Sequence, residues 1–95
     1  MGTVRISQES LHRIKAKLQE TYGDRLKGVM LYGSEARGEA TEDSDIDLLV
    51  LLEGPIVWWK ELRVIIHALY PIQLDVIRPI SAKPVDIETY RAAEY

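Results

Sequence analysis

Leu11, Ile14 and Leu18 recur at three- and four-residue steps between Ser7 and Gly23, which predicts an amphipathic helix laying one narrow apolar stripe on a sheet. Ser7 is suited to cap it, Glu9 stands in its first turn, Ile6 and Leu11 are placed as a staple, and Gly23 is the stop. Leu26 to Tyr32 reads as a strand despite Gly28 at its middle. Asp45 to Leu52 starts polar and continues apolar, the pattern of a central strand covered on both faces. Gly54-Pro55 closes it, and Pro55 suits the first position of a second long helix running to about Tyr70. Its core stripe is Trp58, Leu62, Ile65, Ile66 and Leu69, against the unfavourable β-branched cluster Val64-Ile65-Ile66. From Ile72 to Arg78 the chain alternates, with Ile72, Leu74 and Val76 on one side and Gln73, Asp75 and Ile77 on the other. This predicts a third strand carrying a carboxylate at its middle. After Pro79 and Pro84, a short helix is expected from Asp86 onward, with Tyr90 and Tyr95 placed to pack back.

Strand one ends at Gly33-Ser34 and strand two begins at Asp45, so joining these ends makes the pair antiparallel. A helical crossover then brings strand three parallel to strand two. The expected fold class is α/β (α+β): a three-stranded mixed sheet packed with helices, in the order α-β-(short α)-β-α-β-(short α). Ninety-five residues, 46% of them hydrophobic, suit a single domain spanning 1–95, without room for a second. No repeat, linker or low-complexity segment interrupts it.

Charge narrows the partners. A net charge of -3 gives no excess of Lys and Arg for releasing counterions, so stable nucleic-acid binding by this chain alone is not expected. The absence of cysteine removes disulfides and thiolate metal sites, and the cytoplasm is the default compartment. The longest apolar run, near Leu48 to Leu52, is far too short for a bilayer. No asparagine or cysteine and only two methionines are present, a shortage of heat-labile side chains that accompanies growth at high temperature.

The candidate chemistry lies in Tyr32-Gly33-Ser34 and, after a ten-residue gap, Asp45-Ile46-Asp47-Leu48. Asp45 and Asp47 stand two apart on a strand, so their carboxylates leave the same face and can share divalent ions. Hard oxygens suit Mg²⁺ or Mn²⁺, with two ions in a two-metal arrangement. Asp75 from the neighbouring strand supplies a third carboxylate. The bare spacing also fits a strand that begins at the surface; three aspartates converging on one face favour a site. Gly33 permits a close backbone approach, Ser34 opens a short helix whose N–H groups and hydroxyl can meet a phosphate, and Arg37 follows one turn later as a planar fork.

Two competing motifs fail at essential atoms. Gly33 and Gly38 have Walker A spacing, but Glu39 stands where the lysine belongs. Asp43, Asp45 and Asp47 open like a calcium loop, but Leu48 occupies its glycine position and Gly54 its glutamate position. His12 and His67 have no partner motif. Trp59, with Ile66 and Tyr70, either extends an apolar face toward a partner chain or packs against the C-terminal tail.

Gly33-Ser34-Glu35-Ala36-Arg37-Gly38-Glu39-Ala40, then Ser44-Asp45-Ile46-Asp47-Leu48 and later Leu74-Asp75-Val76, closely resemble the minimal nucleotidyltransferases of the DNA polymerase β superfamily. The resemblance implies a nucleotidyltransferase fold, Gly33, Ser34, Arg37 and Ser44 at the nucleotide, Asp45, Asp47 and Asp75 as metal ligands, and Asp75 assisting deprotonation of the attacking hydroxyl. It further implies ATP as substrate and Mg²⁺ as cofactor. Small members of this family act as antitoxins beside a HEPN-domain ribonuclease toxin and transfer AMP to a tyrosine of that partner. The alternatives are an antitoxin that neutralises its partner by binding alone, and transfer to a small molecule or nucleic acid.

Overall fold

The computed structural model describes residues 6–33, 37–41 and 43–93. Helix α1 spans Gln8–Tyr22; the Ser7 hydroxyl accepts the Ser10 amide at its start, and Gly23, at φ +55°, ends it. A short 3-10 turn leads into β1, Leu26–Tyr32, which pairs antiparallel with β2, Ile46–Leu52. Helix α2 covers Trp58–Gln73, β3 covers Ile80–Asp86 parallel to β2, and helix α3 covers Ile87–Ala92. The sheet order β1-β2-β3 makes β2 central, as its apolar run predicts.

Ile46, Leu48, Val50 and Leu52 of β2 are fully buried and join Ile14 and Leu18 of α1 with Ile65, Leu69 and Ile72 of α2 in one cluster. Each such side chain contributes about 1.5–3 kcal/mol by leaving water. Alternation sends Asp47, Leu49 and Leu51 to the opposite face. Helix α3 covers the far part of that face: Ile87 is buried, and the Tyr90 hydroxyl reaches Met30 Sδ at 2.9 Å, on the strand neighbour of Leu49. Asp47 and Leu49 remain only half-buried, so the open part of this face lies toward the start of β2.

The second helix and third strand are shifted from their expected bounds. Helix α2 starts at Trp58 instead of Pro55, because Val57 is extended and its carbonyl is the first to accept helical amides, from Lys60 and Glu61. It continues past Tyr70 through Pro71 to Gln73. Ile72 extends the buried stripe of Ile65 and Leu69, and its burial offsets much of the cost of a proline inside a helix, about 3 kcal/mol. The strand expected over Ile72 to Arg78 is therefore not formed. Leu74 and Ile77 are 68% and 96% exposed in a turn, and the third strand runs instead from Ile80 to Asp86. Pro84 is tolerated there because β3 is an edge strand.

Trp59, Ile66 and Tyr70 form an exposed stripe on α2, with the Arg63 guanidinium 5.4 Å from the Trp59 ring. No described residue of the C-terminal tail covers them. At the end of the sheet where β2 finishes, Glu61 is 6% exposed and is held by Arg25 Nη2 at 3.1 Å and by the Tyr22 hydroxyl at 3.2 Å. Burial first, and the Glu61 charge second, push the Tyr22 hydroxyl well above the ordinary tyrosine range.

Candidate active site

The end of β1 and the start of β2 meet at the Tyr32–Asp47 register pair, so Gly33, the next residue, lies against the Asp47 carboxylate. Gly33 adopts φ +67°, and a Cβ there would lie 2.6 Å from Asp47 Oδ2. Only glycine gives both the left-handed backbone and that approach. Asp45 is exposed immediately before the strand, two residues ahead of Asp47. Neither carboxylate makes a hydrogen bond or ion pair with a described residue, whereas the carboxylates of Glu39, Glu61 and Asp75 are each engaged by an arginine.

The loop that delivers these aspartates is tied by its own hydroxyls. Ser44 Oγ accepts the Thr41 amide at 3.0 Å and lies 3.2 Å from Thr41 Oγ1, while the Ser44 amide donates to the Thr41 carbonyl. Ser44 thus shapes the turn into Asp45. Arg37 is exposed and paired with Glu39 at 3.2 Å. Ser34, expected at a phosphate, lies outside the described residues, as does the start of the short helix expected there.

Asp75 requires a correction. It occupies the turn after α2, not the middle of a strand beside β2, and its exposed carboxylate meets Arg13 Nη1 at 3.0 Å. The strand residue beside Asp47 is Ser81. Among the described residues no group of three or more metal-ligating side chains is assembled. The turn nonetheless lies at the right end of the sheet, since it leads into Ile80, the register partner of Ile46. Two carboxylates against a glycine backbone suit a hard divalent cation that takes its remaining ligands from water and phosphate.

Comparison with known sequences decides the family. The nucleotidyltransferase domain family matches residues 11–93. This chain belongs to the nucleotidyltransferase domain family. It is 38% identical over 79 residues to "Putative protein adenylyltransferase MJ0126" of Methanocaldococcus jannaschii, covering 81% of this chain and 79% of that protein. It is 39% identical over 71 residues to protein adenylyltransferase MntA of Thermococcus cleftensis, covering 73% and 70% of the two chains. A nucleoside triphosphate and a divalent metal are the reactants and cofactor typical of this family.

One residue of this nucleotidyltransferase escapes sequence reading. Arg78, 5% exposed, donates from Nε to the Ser44 carbonyl at 2.9 Å and from Nη2 to the Asp45 carbonyl at 3.3 Å. Beside it the Ile46 amide donates to the Pro79 carbonyl at 2.7 Å. Gln73 fixes the turn itself: its amide donates to the carbonyls of Val76 and Arg78, and its carbonyl accepts the Ile80 amide. The alternation of residues 72–78 hid this arrangement, because it assigned Arg78 to the end of a strand.

Proposed function

We propose that this nucleotidyltransferase is a Mg²⁺-dependent protein adenylyltransferase that moves AMP from ATP to a tyrosine hydroxyl of a HEPN-type partner and thereby acts as its antitoxin. The observation that carries the reading is the Gly33 backbone set against the Asp47 carboxylate, with Asp45 two residues earlier and neither carboxylate paired with a described residue. The names of the relatives support AMP transfer and a protein acceptor.

Asp45 and Asp47 would hold the cation. A bound Mg²⁺ supplies charge stabilisation for the phosphates and orients them for in-line displacement. Gly33 and Ser44 stand at the approach of the nucleotide, and the family resemblance adds Ser34 as a nucleotide contact. Arg37, on an exposed pair that costs little to exchange, neutralises phosphate charge. The tyrosine oxygen bonds to the α-phosphorus, the bond to pyrophosphate breaks, and the hydroxyl proton leaves through a carboxylate to solvent. The family resemblance gives that carboxylate as Asp75. Its exposed pair with Arg13 is worth about 0–1 kcal/mol, so turning toward the site is inexpensive.

The test is incubation of the chain with α-labelled ATP, Mg²⁺ and the product of the adjacent gene, which this reading takes to be the HEPN-type partner. Label should appear on a partner tyrosine and vanish when that tyrosine is phenylalanine. Replacing both Asp45 and Asp47 by Asn should lower transfer by about 10²–10³-fold or more while leaving thermal unfolding nearly unchanged. Undiminished transfer by that variant would refute the site. A second reading, neutralisation by binding alone, draws on the exposed Trp59, Ile66 and Tyr70 stripe. Inhibition of the partner without label incorporation would select it.

A further inference from the structure

We propose that Arg78 is a positioning residue for nucleotidyl transfer: its buried guanidinium grips the carbonyls of Ser44 and Asp45, and so sets where the Asp45 and Asp47 carboxylates stand for the cation. The proposal rests on the reading that these two aspartates are the cation's ligands.

A guanidinium is costly to bury, and the described side-chain bonds that hold this one go to two backbone carbonyls of the loop entering β2. Its planar fork can satisfy both with fixed geometry, which an ammonium on a flexible stem does less well. The grip is itself braced, because Gln73 at the end of α2 bonds the backbone of Val76, Arg78 and Ile80. A continuous path of hydrogen bonds therefore runs from the end of α2 through Gln73 and Arg78 to Asp45. Asp45 precedes the regular ladder of β2, so its backbone position depends on this contact more than that of Asp47, which β1 and β3 hold on both sides. Groups that orient metal ligands without touching the metal commonly change affinity or activity by about 10–100-fold when removed.

The test compares Arg78→Lys, Arg78→Gln and Arg78→Ala with the unmodified chain and with the Asp45→Asn, Asp47→Asn double variant. Mn²⁺ affinity is read by electron paramagnetic resonance, kcat and KM by AMP transfer, and the folded fraction by circular dichroism. Arg78→Gln and Arg78→Ala should weaken Mn²⁺ binding about tenfold or more and lower kcat by a similar factor, with KM for ATP within threefold. Arg78→Lys should recover part of both. If Arg78→Ala is not folded, Arg78→Gln, which keeps a polar group near the Nε position but cannot span both carbonyls, carries the measurement. Wild-type Mn²⁺ affinity in a folded Arg78→Gln chain, alongside loss of binding in the double aspartate variant, overturns the role of Arg78 and leaves the site standing. Wild-type Mn²⁺ binding and transfer in the double aspartate variant overturn the site and this proposal with it.

Discussion

Arg25 and Arg78 stand at opposite ends of the central strand, and the chemistry around them differs. At the end where β2 finishes, Arg25 pairs with the buried Glu61 and also donates to the carbonyls of Glu53 and Pro55. At the end where β2 starts, Arg78 directs its described bonds to the carbonyls of Ser44 and Asp45. Both arginines tie a loop to the sheet, but only the first neutralises an acidic side chain of α2. Asp45 and Asp47, near the second, pair with no described residue. A carboxylate engaged by arginine stabilises a fold; a neighbouring pair left without partners is suited to bind a cation.

The sharpest way to break this contrast is at Gly33. Gly33→Ala places a methyl group against Asp47 Oδ2 and forces an L-residue to φ +67°. The carboxylate must move, and a displacement near 1 Å costs about 10²-fold in rate. Transfer should fall by that factor, with a stability loss of about 1–2 kcal/mol measured by urea unfolding. Wild-type turnover in Gly33→Ala would mean that Asp47 is not held at the reacting centre.

The opposite end should respond in the opposite currency of measurement, stability without activity. Arg25→Ala leaves Glu61 buried with the Tyr22 hydroxyl as its only side-chain partner among the described residues. Breaking a fully buried pair costs about 3–5 kcal/mol, and the partial exposure of Arg25 reduces this to about 2 kcal/mol. The urea midpoint should drop accordingly while kcat per folded molecule stays within about twofold. A loss of kcat as large as that of Gly33→Ala would show that the two ends are coupled through α2.

The residues of the candidate site were more legible in the sequence than the framework around them. Gly33, Asp45 and Asp47 are legible because their residue types have few other uses together: a glycine that must approach a neighbour, and two carboxylates of equal parity on an otherwise apolar strand. Helix α1, β1 and β2 were legible for a similar reason, each with a cap, a stop or an unbroken apolar run. The segment after Tyr70 was not. Pro71 reads as a helix stop and the alternation of residues 72–78 reads as a strand, yet Ile72 belongs to the helix stripe and Leu74 and Ile77 face solvent. Tertiary burial of Ile72 decided against local propensity. The true β3, with Lys83 and Pro84 inside it, carries little strand signal because an edge strand can tolerate both. Arg78 was invisible because a clamp on backbone carbonyls leaves no side-chain motif.

Asp75 tests how far the contrast between engaged and free carboxylates extends, and the effects expected there are the smallest. Its pair with Arg13 at 3.0 Å is exposed, so removing either partner should change stability by less than about 1 kcal/mol. For transfer the two partners should part company. Asp75→Asn removes the carboxylate proposed to accept the hydroxyl proton, and on that proposal should lower kcat by tenfold or more, on the order of the smaller general-base effects. Arg13→Ala only frees that carboxylate and should leave kcat within about threefold. If both variants retain full activity, Asp75 is simply Arg13's partner, and the proton leaves by another route. If both lose it equally, the pair itself orders the turn that carries Gln73 and Arg78, and Asp75 reaches the site through the backbone, not through its carboxylate.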